Sequence, residues 1–441
     1  MSGIGSAPPD PNADSELRAT DSAPAFPEPA SSEPTTGGEQ GQVDKVPQPP
    51  DGETLDLELI SISNGGRAVA RHGGRAVFVP FGAPGDLVRA KVYRNRKRYA
   101  EAEIVEVVRR SPERVEPECQ YYGVCGGCQL QHMSYSAQLD AKRQVVADQL
   151  ARIGGFRDAV VHPTLPSPLE YGYRNTVRFL PGASGALGYT DQRVDRFLQV
   201  DVCPIAAPPI NDALKALQGC GPPGEHVRVR YSDLTGELLI APEFEAPIPT
   251  GQDSITFELL GRRFKASAAT FFQVNTRQAE RLVSLALDRL GPLEGKTVLD
   301  AYCGAGAFTR FIAEGAARTI GIEESPTAAA DARKNVAGLE VQVVEGRAED
   351  ELSALRPAVD LVLLDPPRAG CAPAALHSLL ALAPERIVYV SCDPATLARD
   401  MKTLCSTGVY ALRDVQPVDM FPQTYHIEAV AVLDAVLRAE V

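Results

Sequence analysis

The chain has 441 residues, of which 44% are hydrophobic and 23% are charged, and its formal net charge is −13 at pH 7. This length and composition predict two or three packed cores, and the acidic balance argues against a protein that coats nucleic acid with its whole surface. No apolar run approaches the roughly 18 residues of a membrane helix, and the polar N-terminus gives no sign of a signal peptide. Nine cysteines without a secretion signal predict a reducing, cytoplasmic compartment, where thiols serve metal binding or catalysis more often than disulfides.

Residues 1–50 consist mainly of Pro, Ser, Glu and Gly. Such a segment cannot bury enough apolar surface to fold, so it predicts a disordered tail without chemistry of its own. The first domain is expected to begin near Asp51, where short alternating apolar runs appear.

Residues 51–115 predict a small antiparallel β-barrel. Their apolar runs are short and alternating, with turn residues between them, at 55–59, 75–79, 87–92 and 102–108. Residues 52–115 carry twelve Lys and Arg against eight Asp and Glu, so this domain is locally basic in an acidic protein. From Tyr93 to Tyr99, cations are interleaved with aromatic residues, a pattern that suits phosphate contacts and base stacking in RNA. A solvated hairpin tip is the alternative interpretation.

Residues 116–265 begin with three cysteines, Cys119, Cys125 and Cys128, within ten positions. Closed coordination needs a fourth thiolate, and the nearest later candidate is Cys203, which precedes a proline. Such a set can hold structural zinc or a [4Fe–4S] cluster. Zinc sites usually pair two C-x-x-C knuckles, and this segment has one, so we favour the cluster. The rest of this domain predicts a helix over 136–152 and then a mixed region with several strands.

Residues 266–441 predict a doubly wound, mostly parallel sheet, which is a Rossmann-like α/β domain. Apolar runs alternate with helical stretches, and the expected strands are 297–300, 319–322, 341–344, 360–364, 386–390 and 428–433. In such a sheet, ligands bind at the carboxyl ends of the strands.

Polar residues follow three of these strands. The first strand ends at Asp300 and opens into a loop with Gly304 and Gly306, the usual cradle for a nucleotide-like cofactor when a helix follows. Glu323 ends the next strand, twenty-three positions after Asp300, where an acid can accept hydrogen bonds from ribose hydroxyls. Asp365 ends a third strand, and the two prolines after it keep the backbone extended.

Cys392 is the best candidate nucleophile. It precedes a helix expected to start near Pro394, and the positive end of the helix dipole is expected to lower the pKa of its thiol. A possible base lies near the start of the last strand, in the sequence His426-Ile427-Glu428. A thiolate, a carboxylate and a nucleotide-type cofactor without a hydride signature predict methyl transfer onto an unreactive ring carbon. The thiolate would add to the ring, and the carboxylate would later remove a proton.

With these motifs in this order, residues 51–441 resemble the RNA uracil-C5 methyltransferases that carry a TRAM domain and an iron–sulfur cluster. The resemblance includes the cysteine set described above. The other matching stretches are Phe271-Phe-Gln-Val-Asn275, Asp300-Ala-Tyr-Cys-Gly-Ala-Gly306, Asp365-Pro-Pro-Arg368, Ser391-Cys-Asp-Pro-Ala-Thr-Leu-Ala-Arg-Asp400 and Asp419-Met-Phe-Pro-Gln-Thr-Tyr-His-Ile-Glu428.

The resemblance implies that Cys392 attacks C6 of a flipped-out uridine and that Glu428 takes the C5 proton. Flipping is expected because a stacked base cannot offer these atoms to the enzyme. The resemblance also implies that the methyl donor is S-adenosylmethionine, bound by Gln273, Tyr302, Glu323 and Asp365. It favours 23S rRNA as the partner and leaves tRNA open. We expect a structural role for the cluster, no membrane partner and a monomer.

Two positions depart from the family pattern. Asp393 stands where members often have Asn, and Ala307 stands where many have Asn in the glycine loop. Both leave the nucleophile, the base and the cluster ligands intact. The alternatives are a non-catalytic RNA-binding paralogue, which would have no affinity for the cofactor, and a small-molecule methyltransferase, which leaves the basic barrel unexplained.

Overall fold

The computed structural model describes residues 52–192, 194–355 and 359–436. The predicted tail at 1–50 lies outside the described residues. Within them, no helix combines the length and the apolar character that crossing a membrane requires.

The N-terminal domain is a six-stranded sheet in the order β1-β5-β6-β4-β3-β2. Strands β1 to β6 are Thr54–Glu58, Ser61–Ile62, Ala68–His72, Arg75–Val79, Leu87–Asn95 and Tyr99–Arg109. All four predicted runs are strands, whereas the apolar pattern does not predict β2 and β3. The prediction of antiparallel pairing throughout is wrong for β4 and β6, which pair in parallel. The reason is that the chain reverses twice between these strands, once before β5 and once in the β5–β6 hairpin, so β4 and β6 point the same way.

A helix follows this sheet, and it packs on the C-terminal domain. Helix α1, Tyr135–Gln149, runs directly into a π-helical turn at Leu150–Gly154, which confirms the helix predicted over 136–152. Ser134 caps α1, because its side-chain oxygen accepts the backbone N–H three residues later at 3.3 Å. Val146 and Leu150 enter the same hydrophobic core as one face of the C-terminal sheet.

The central domain contains a five-stranded sheet in the order β11-β10-β7-β8-β9 and one helix. Strands β7 to β11 are Thr176–Pro181, Leu187–Asp191, Arg196–Gln199, Val227–Tyr231 and Leu238–Ala241, and helix α2 is Pro208–Leu217. A separate hairpin follows, with β12 at Ser254–Leu259 and β13 at Arg262–Ser267. Its Phe257 and Phe264 belong to a second core beneath the C-terminal sheet.

The C-terminal sheet has seven strands in the order β16-β15-β14-β17-β18-β20-β19. Strands β14 to β20 are Thr297–Ala301, Arg318–Glu323, Val341–Glu345, Leu361–Leu364, Arg386–Ser391, Tyr410–Val418 and Glu428–Ala435. Helices α3 to α8 are Thr276–Leu290, Ala307–Ala313, Pro326–Asn335, Ala348–Ala354, Pro373–Leu382 and Pro394–Ser406. The first five strands of the sheet order are parallel, and β20 lies antiparallel between β18 and β19. The six predicted strands are confirmed, and β19 is an addition.

Both faces of this sheet are buried. Successive residues of β17 alternate between two cores, with Val362 and Leu364 in one and Leu361 and Leu363 in the other, as the two-residue period of a strand requires. Burial on both faces explains why the sequences of these strands are continuous apolar runs. The carboxyl ends of the parallel strands are therefore the places where polar side chains can gather.

Candidate active site

The loop after β14 forms an open cradle. Tyr302, Gly304 and Gly306 have φ angles of 66°, 55° and 81°, a left-handed conformation that glycine tolerates best. A Cβ atom at Gly304 would meet no atom within 4 Å, whereas one at Gly306 would lie 3.3 Å from the Cα of Ala332. Gly306 therefore serves close packing on the next helix, while the space beside Gly304 is free for a ligand to approach the backbone.

Glu323 fixes this loop from the neighbouring strand. Its two carboxylate oxygens accept the backbone N–H groups of Gly304, at 2.9 Å, and Ser325, at 2.8 Å. The side chain stays partly exposed, and each oxygen retains acceptor capacity for a further donor. Glu323 thus stands where an acid can accept hydroxyl hydrogen bonds at the carboxyl edge of the sheet.

Asp300 lies fully buried beneath the same loop. Its Oδ2 accepts the hydroxyl of Thr309 at 2.6 Å, and its Oδ1 has no hydrogen-bond partner among the described residues. Burial raises the pKa of Asp300 to about 7, and the charges of Asp365 and Glu323 add to this effect. Three carboxyl groups at one sheet edge favour a cationic ligand electrostatically.

Cys392, Asp365 and Glu428 come together at the ends of three adjacent strands. Asp365 follows β17, Cys392 follows β18 and Glu428 begins β20. Burial, together with the carboxylates of Glu428 and Asp365, raises the pKa of the Cys392 thiol to about 12. The prediction that the helix dipole lowers this pKa is therefore wrong. The main cause is burial of the thiol, and carboxylates from the two strands flanking β18 act in the same direction.

Glu428 is almost completely buried, with 3% of its surface exposed. Burial and the charge of Asp365 raise its pKa well above the ordinary value for glutamate, and Arg368 acts in the opposite direction. Burial likewise raises the pKa of Asp365 to about 7. Asp365, Cys392 and Glu428 are therefore held toward their protonated forms. The positive charge of Arg368 acts against this at both Glu428 and Cys392.

The loop that carries Arg368 is held by helix α8. The buried carboxylate of Asp400 accepts the backbone N–H of Cys371 at 2.9 Å and the hydroxyl of Tyr389 at 2.7 Å. The hydroxyl of Thr396 donates to the carbonyl of Arg368 at 3.1 Å. These bonds fix the position of Arg368 relative to Cys392, which precedes the same helix.

The two departures from the family pattern have different settings. Asp393 caps α8, because its Oδ1 accepts the backbone N–H groups of Ala395 and Thr396, both at 2.9 Å. Asparagine has the same acceptor, so this substitution keeps the cap. Ala307 is the first residue of α4 and is partly exposed.

The segment before β20 is anchored by buried polar contacts that the sequence motifs do not reveal. Lys142 of α1 donates to Asp419 Oδ1 at 2.6 Å and to the carbonyl of Phe421 at 3.0 Å. Gln138 and Gln423 exchange two hydrogen bonds, of 2.9 and 3.0 Å. A possible signal was a lone lysine between Leu139 and Val146 on the apolar stripe of the predicted helix.

Gln273 has different hydrogen-bond partners from the other predicted cofactor residues. It is partly exposed on the loop between β13 and α3, and its carbonyl accepts the Asn175 side chain at 3.0 Å. In the described part of the chain, it forms no hydrogen bond with Tyr302, Glu323 or Asp365. The structure thus brings the latter three to one edge and leaves the role of Gln273 a prediction.

The four predicted cluster cysteines lie within electrostatic range of one another. Burial is the main cause of the raised pKa values of Cys119, Cys125 and Cys128, and the charge of Cys203 contributes to all three. The pKa of Cys125 is raised to about 11. As they stand, no three His, Cys, Asp or Glu side chains within the described ranges form an arrangement that could hold a metal ion. The donor set is right for a thiolate-bound group, and closed coordination would require the thiols to draw closer.

The loop that carries Cys128 also touches the segment before Glu428. The backbone N–H groups of Gln129 and Leu130 both donate to the carbonyl of Gln423, at 3.1 and 3.0 Å. The cysteine loop and the candidate active site are therefore linked through two hydrogen bonds.

The predicted basic segment forms the tip of the β5–β6 hairpin. Lys97 and Arg98 are exposed in its turn, and Tyr93 exposes 45% of its surface. Arg94 pairs with Glu101 at 3.3 Å. The tip therefore offers cations and an aromatic face to solvent, as phosphate and base contacts require.

Three parts of the chain match known families. Residues 351–436 match the tRNA (Uracil-5-)-methyltransferase family, residues 51–105 match the TRAM domain, and residues 298–383 match a methyltransferase domain. An uncharacterized RNA methyltransferase of Thermosynechococcus vestitus is 36% identical over 440 residues, covering 87% of this chain and 98% of that protein. One of Halalkalibacterium halodurans is 33% identical over 445 residues, covering 87% and 97%.

A solved structure is similar over most of the chain. It is the Pyrococcus abyssi tRNA (uracil-54, C5)-methyltransferase in complex with S-adenosyl-L-homocysteine. The likeness has a TM-score of 0.68 and 27% identity, and it covers 86% of this chain and 100% of the archaeal one.

Proposed function

This chain belongs to the RNA uracil-C5 methyltransferase family and is an S-adenosylmethionine-dependent RNA (uracil-5-)-methyltransferase, and we propose that it methylates a uridine of 23S rRNA through a covalent adduct on Cys392. The observation that carries the mechanism is the convergence of Cys392, Asp365 and Glu428 at the ends of three adjacent strands. We assign residues 51–115 to RNA binding, 116–265 to the cluster-bearing domain and 266–441 to catalysis.

The cofactor residues in this proposal are Gln273, Tyr302, Glu323 and Asp365. The open space beside Gly304, the unpartnered Oδ1 of Asp300 and the acceptor capacity of Glu323 suit a ligand with hydroxyl groups and a positive charge. When bound, S-adenosylmethionine supplies an electrophilic methyl group and leaves as S-adenosylhomocysteine.

The chain's own residues account for the remaining steps. The Cys392 thiolate forms a C–S bond to C6 of the flipped uracil, and the C5–C6 π electrons move toward C5 and the C4 carbonyl. C5 then bonds to the methyl carbon. Glu428 in its carboxylate form, which the charge of Arg368 favours, removes the C5 proton. The electron pair restores the C5–C6 double bond, and the thiolate leaves. The sum is one uridine methylated, with one proton released.

The thiol must lose its proton before it attacks. Its pKa of about 12 means that the resting protein holds a neutral thiol. Asp365, with a pKa raised to about 7, is a carboxyl group near enough to affect the thiol, and Arg368 stabilises the anion. We assign Arg368 the role of offsetting the charge on Cys392 and Glu428.

We further propose a structural [4Fe–4S] cluster on Cys119, Cys125, Cys128 and Cys203. Four thiols in mutual electrostatic range support it, as does the link from the Cys128 loop to the segment before Glu428. Protein purified without oxygen should be brown and contain iron and sulfide. Replacing Cys203 with Ala should remove the colour, whereas a colourless wild-type preparation rich in zinc would contradict the cluster.

A tRNA uridine is the second candidate substrate, favoured by the likeness to the archaeal tRNA enzyme. The cluster-bearing members that this sequence resembles favour ribosomal RNA. Mapping 5-methyluridine in 23S rRNA and in tRNA, with and without the gene, decides between them. A 5-methyluridine lost from tRNA alone would contradict our choice. None of the nine cysteines, all within the described ranges, forms a disulfide, and we place the enzyme in the cytoplasm.

Methyl transfer to this RNA tests the two catalytic assignments. Replacing Cys392 with Ala, or Glu428 with Gln, should abolish formation of 5-methyluridine. Cys405→Ala, which removes another thiol at the far end of α8, should retain activity. Full activity of the Cys392→Ala variant would contradict the covalent mechanism.

A further inference from the structure

His426 lies at the candidate active site but has no part in the steps above. It stands two residues before Glu428, and its Nδ1 lies 3.3 Å from Nη2 of Arg368. The charge of Arg368 acts on His426, Glu428 and Cys392 alike, so the ring lies beside the two residues proposed to react with the base. His426 therefore faces the region in which the uracil has to lie.

A hydrogen bond fixes the tautomer of His426. Nη2 of Arg368 lies 3.3 Å from His426 Nδ1. A guanidinium group has donors only, so Nδ1 must accept this bond, and the ring proton of the neutral imidazole is on Nε2.

The surroundings keep this ring neutral and hold it in place. Burial, together with the positive charges of Arg368, Lys142 and Arg174, lowers the pKa of His426 to about 3. The Tyr425 ring lies 4.2 Å from the His426 ring, centroid to centroid, with an interplanar angle of 38°, and Phe421 packs edge-on at 5.6 Å. Two aromatic rings and one guanidinium group thus limit rotation of the imidazole.

The Nε2–H group is available to a ligand. The described residues offer it no hydrogen-bond acceptor, and it is not among the buried polar atoms that lack a partner. The atom therefore reaches solvent-accessible space.

We propose that His426 is a further catalytic residue, whose Nε2–H donates a hydrogen bond to O4 of the flipped uracil. This inference rests on the proposed covalent mechanism. Addition of the thiolate at C6 moves electron density through C5 to O4, so the charge to be stabilised develops on that oxygen. A neutral N–H donor that is already held in position can stabilise the negative charge on O4 without any rearrangement of the side chain.

Removal of one such donor typically slows the chemical step by about 10²–10³-fold. The step can be isolated with RNA containing 5-fluorouridine, because fluorine at C5 prevents the final elimination and traps the covalent adduct. With enzyme in excess and S-adenosylmethionine present, the rate of denaturant-stable adduct formation measures addition and methyl transfer without product release.

The variants compared are His426→Phe, which keeps a ring without the N–H, and His426→Gln, which retains an N–H donor. We expect His426→Phe to slow adduct formation by about 10²–10³-fold, with RNA and S-adenosylhomocysteine affinities within about threefold of wild type. His426→Gln should recover at least about tenfold of that loss. His377→Phe, at an exposed position of α7, is the matched control and should behave as wild type.

Equal adduct rates for wild type and His426→Phe would overturn the role of His426. If His426→Phe does not fold, His426→Gln decides by itself. Its adduct rate must lie between wild type and His426→Ala, and equality with His426→Ala would overturn the donor role. If wild type makes 5-methyluridine but forms no adduct, the covalent mechanism itself fails, and this result is distinct from the other two.

Discussion

Replacing Lys142 with Met should destabilise the protein by about 3–5 kcal/mol, the usual cost of removing one partner of a buried ion pair. The Lys142 side chain is 2% exposed and that of Asp419 is 0% exposed, and Nζ lies 2.6 Å from Oδ1. Methionine has similar length and fills the same space, so the loss comes from an uncompensated buried carboxylate and an unpaired Phe421 carbonyl. Urea unfolding followed by circular dichroism measures the change.

The matched comparison is a double-mutant cycle with Asp419→Asn. Asn keeps the shape of the side chain and removes the charge, so this variant should cost a similar amount by leaving the ammonium group unpaired. Because Asp419→Asn removes the charge that Lys142→Met leaves unpaired, the double variant should be destabilised by less than either single variant, well short of the sum. We also expect lower methyl transfer per folded molecule, since the pair anchors the segment that leads to Glu428.

Two results would refute this reasoning. A loss below about 1 kcal/mol for Lys142→Met would match an exposed pair and would mean that the two groups do not meet in a buried site. Strict additivity in the cycle would mean that each residue acts alone.

Three further predictions concern cofactor binding, pH dependence and RNA affinity. Gly304→Ala should weaken S-adenosylhomocysteine binding, as measured by calorimetry. Because Gly304 has a positive φ, the substitution should also cost about 1–2 kcal/mol of stability. The control is Gly338→Ala, also at positive φ with free space for a Cβ, which should cost the same stability and leave binding unchanged. The folded-state pKa of Asp300, about 7, exceeds its ordinary value of 3.8, so its contribution to stability is complete below pH 3.8 and is lost as pH rises through about 7. Asp300→Asn should therefore flatten the fall in unfolding free energy across that range, and an unchanged slope would count against the assignment. Arg98→Ala should reduce the slope of the logarithm of the RNA-binding constant against the logarithm of the salt concentration by about 0.7. Arg109→Ala should change this slope less, because the Arg109 guanidinium already pairs with Glu58 at 3.5 Å. Equal effects of the two variants would show that the hairpin tip makes no specific contribution to RNA binding.

Local sequence patterns predict the strands of the catalytic sheet well, because burial on both faces makes each strand a continuous apolar run. They miss β19, which contains Arg413, Asp414 and Pro417 and has an irregularity in its pairing between Leu412 and Asp414. This strand lies at the edge of the sheet, where polar residues can face solvent and the apolar signal is diluted.

The same distinction applies to the active site. Asp365, Cys392 and Glu428 can be found from the sequence because each lies at the end of a strand within a local motif. The raised pKa of Cys392 cannot be inferred from its own segment, because it depends first on burial in the folded protein and then on carboxylates that other strands bring to it. Lys142 and Asp419 are 277 positions apart in the sequence, so no local sequence pattern predicts their pairing.

The most direct test of the central claim is to locate the covalent bond between enzyme and RNA. Wild-type protein is incubated with S-adenosylmethionine and substrate RNA containing 5-fluorouridine, digested with protease and nuclease, and analysed by tandem mass spectrometry. The mechanism predicts a methylated fluorouridine nucleotide attached to the sulfur of Cys392. Attachment to Cys303 or Cys371, or efficient methylation of ordinary uridine with no trapped adduct, would contradict it.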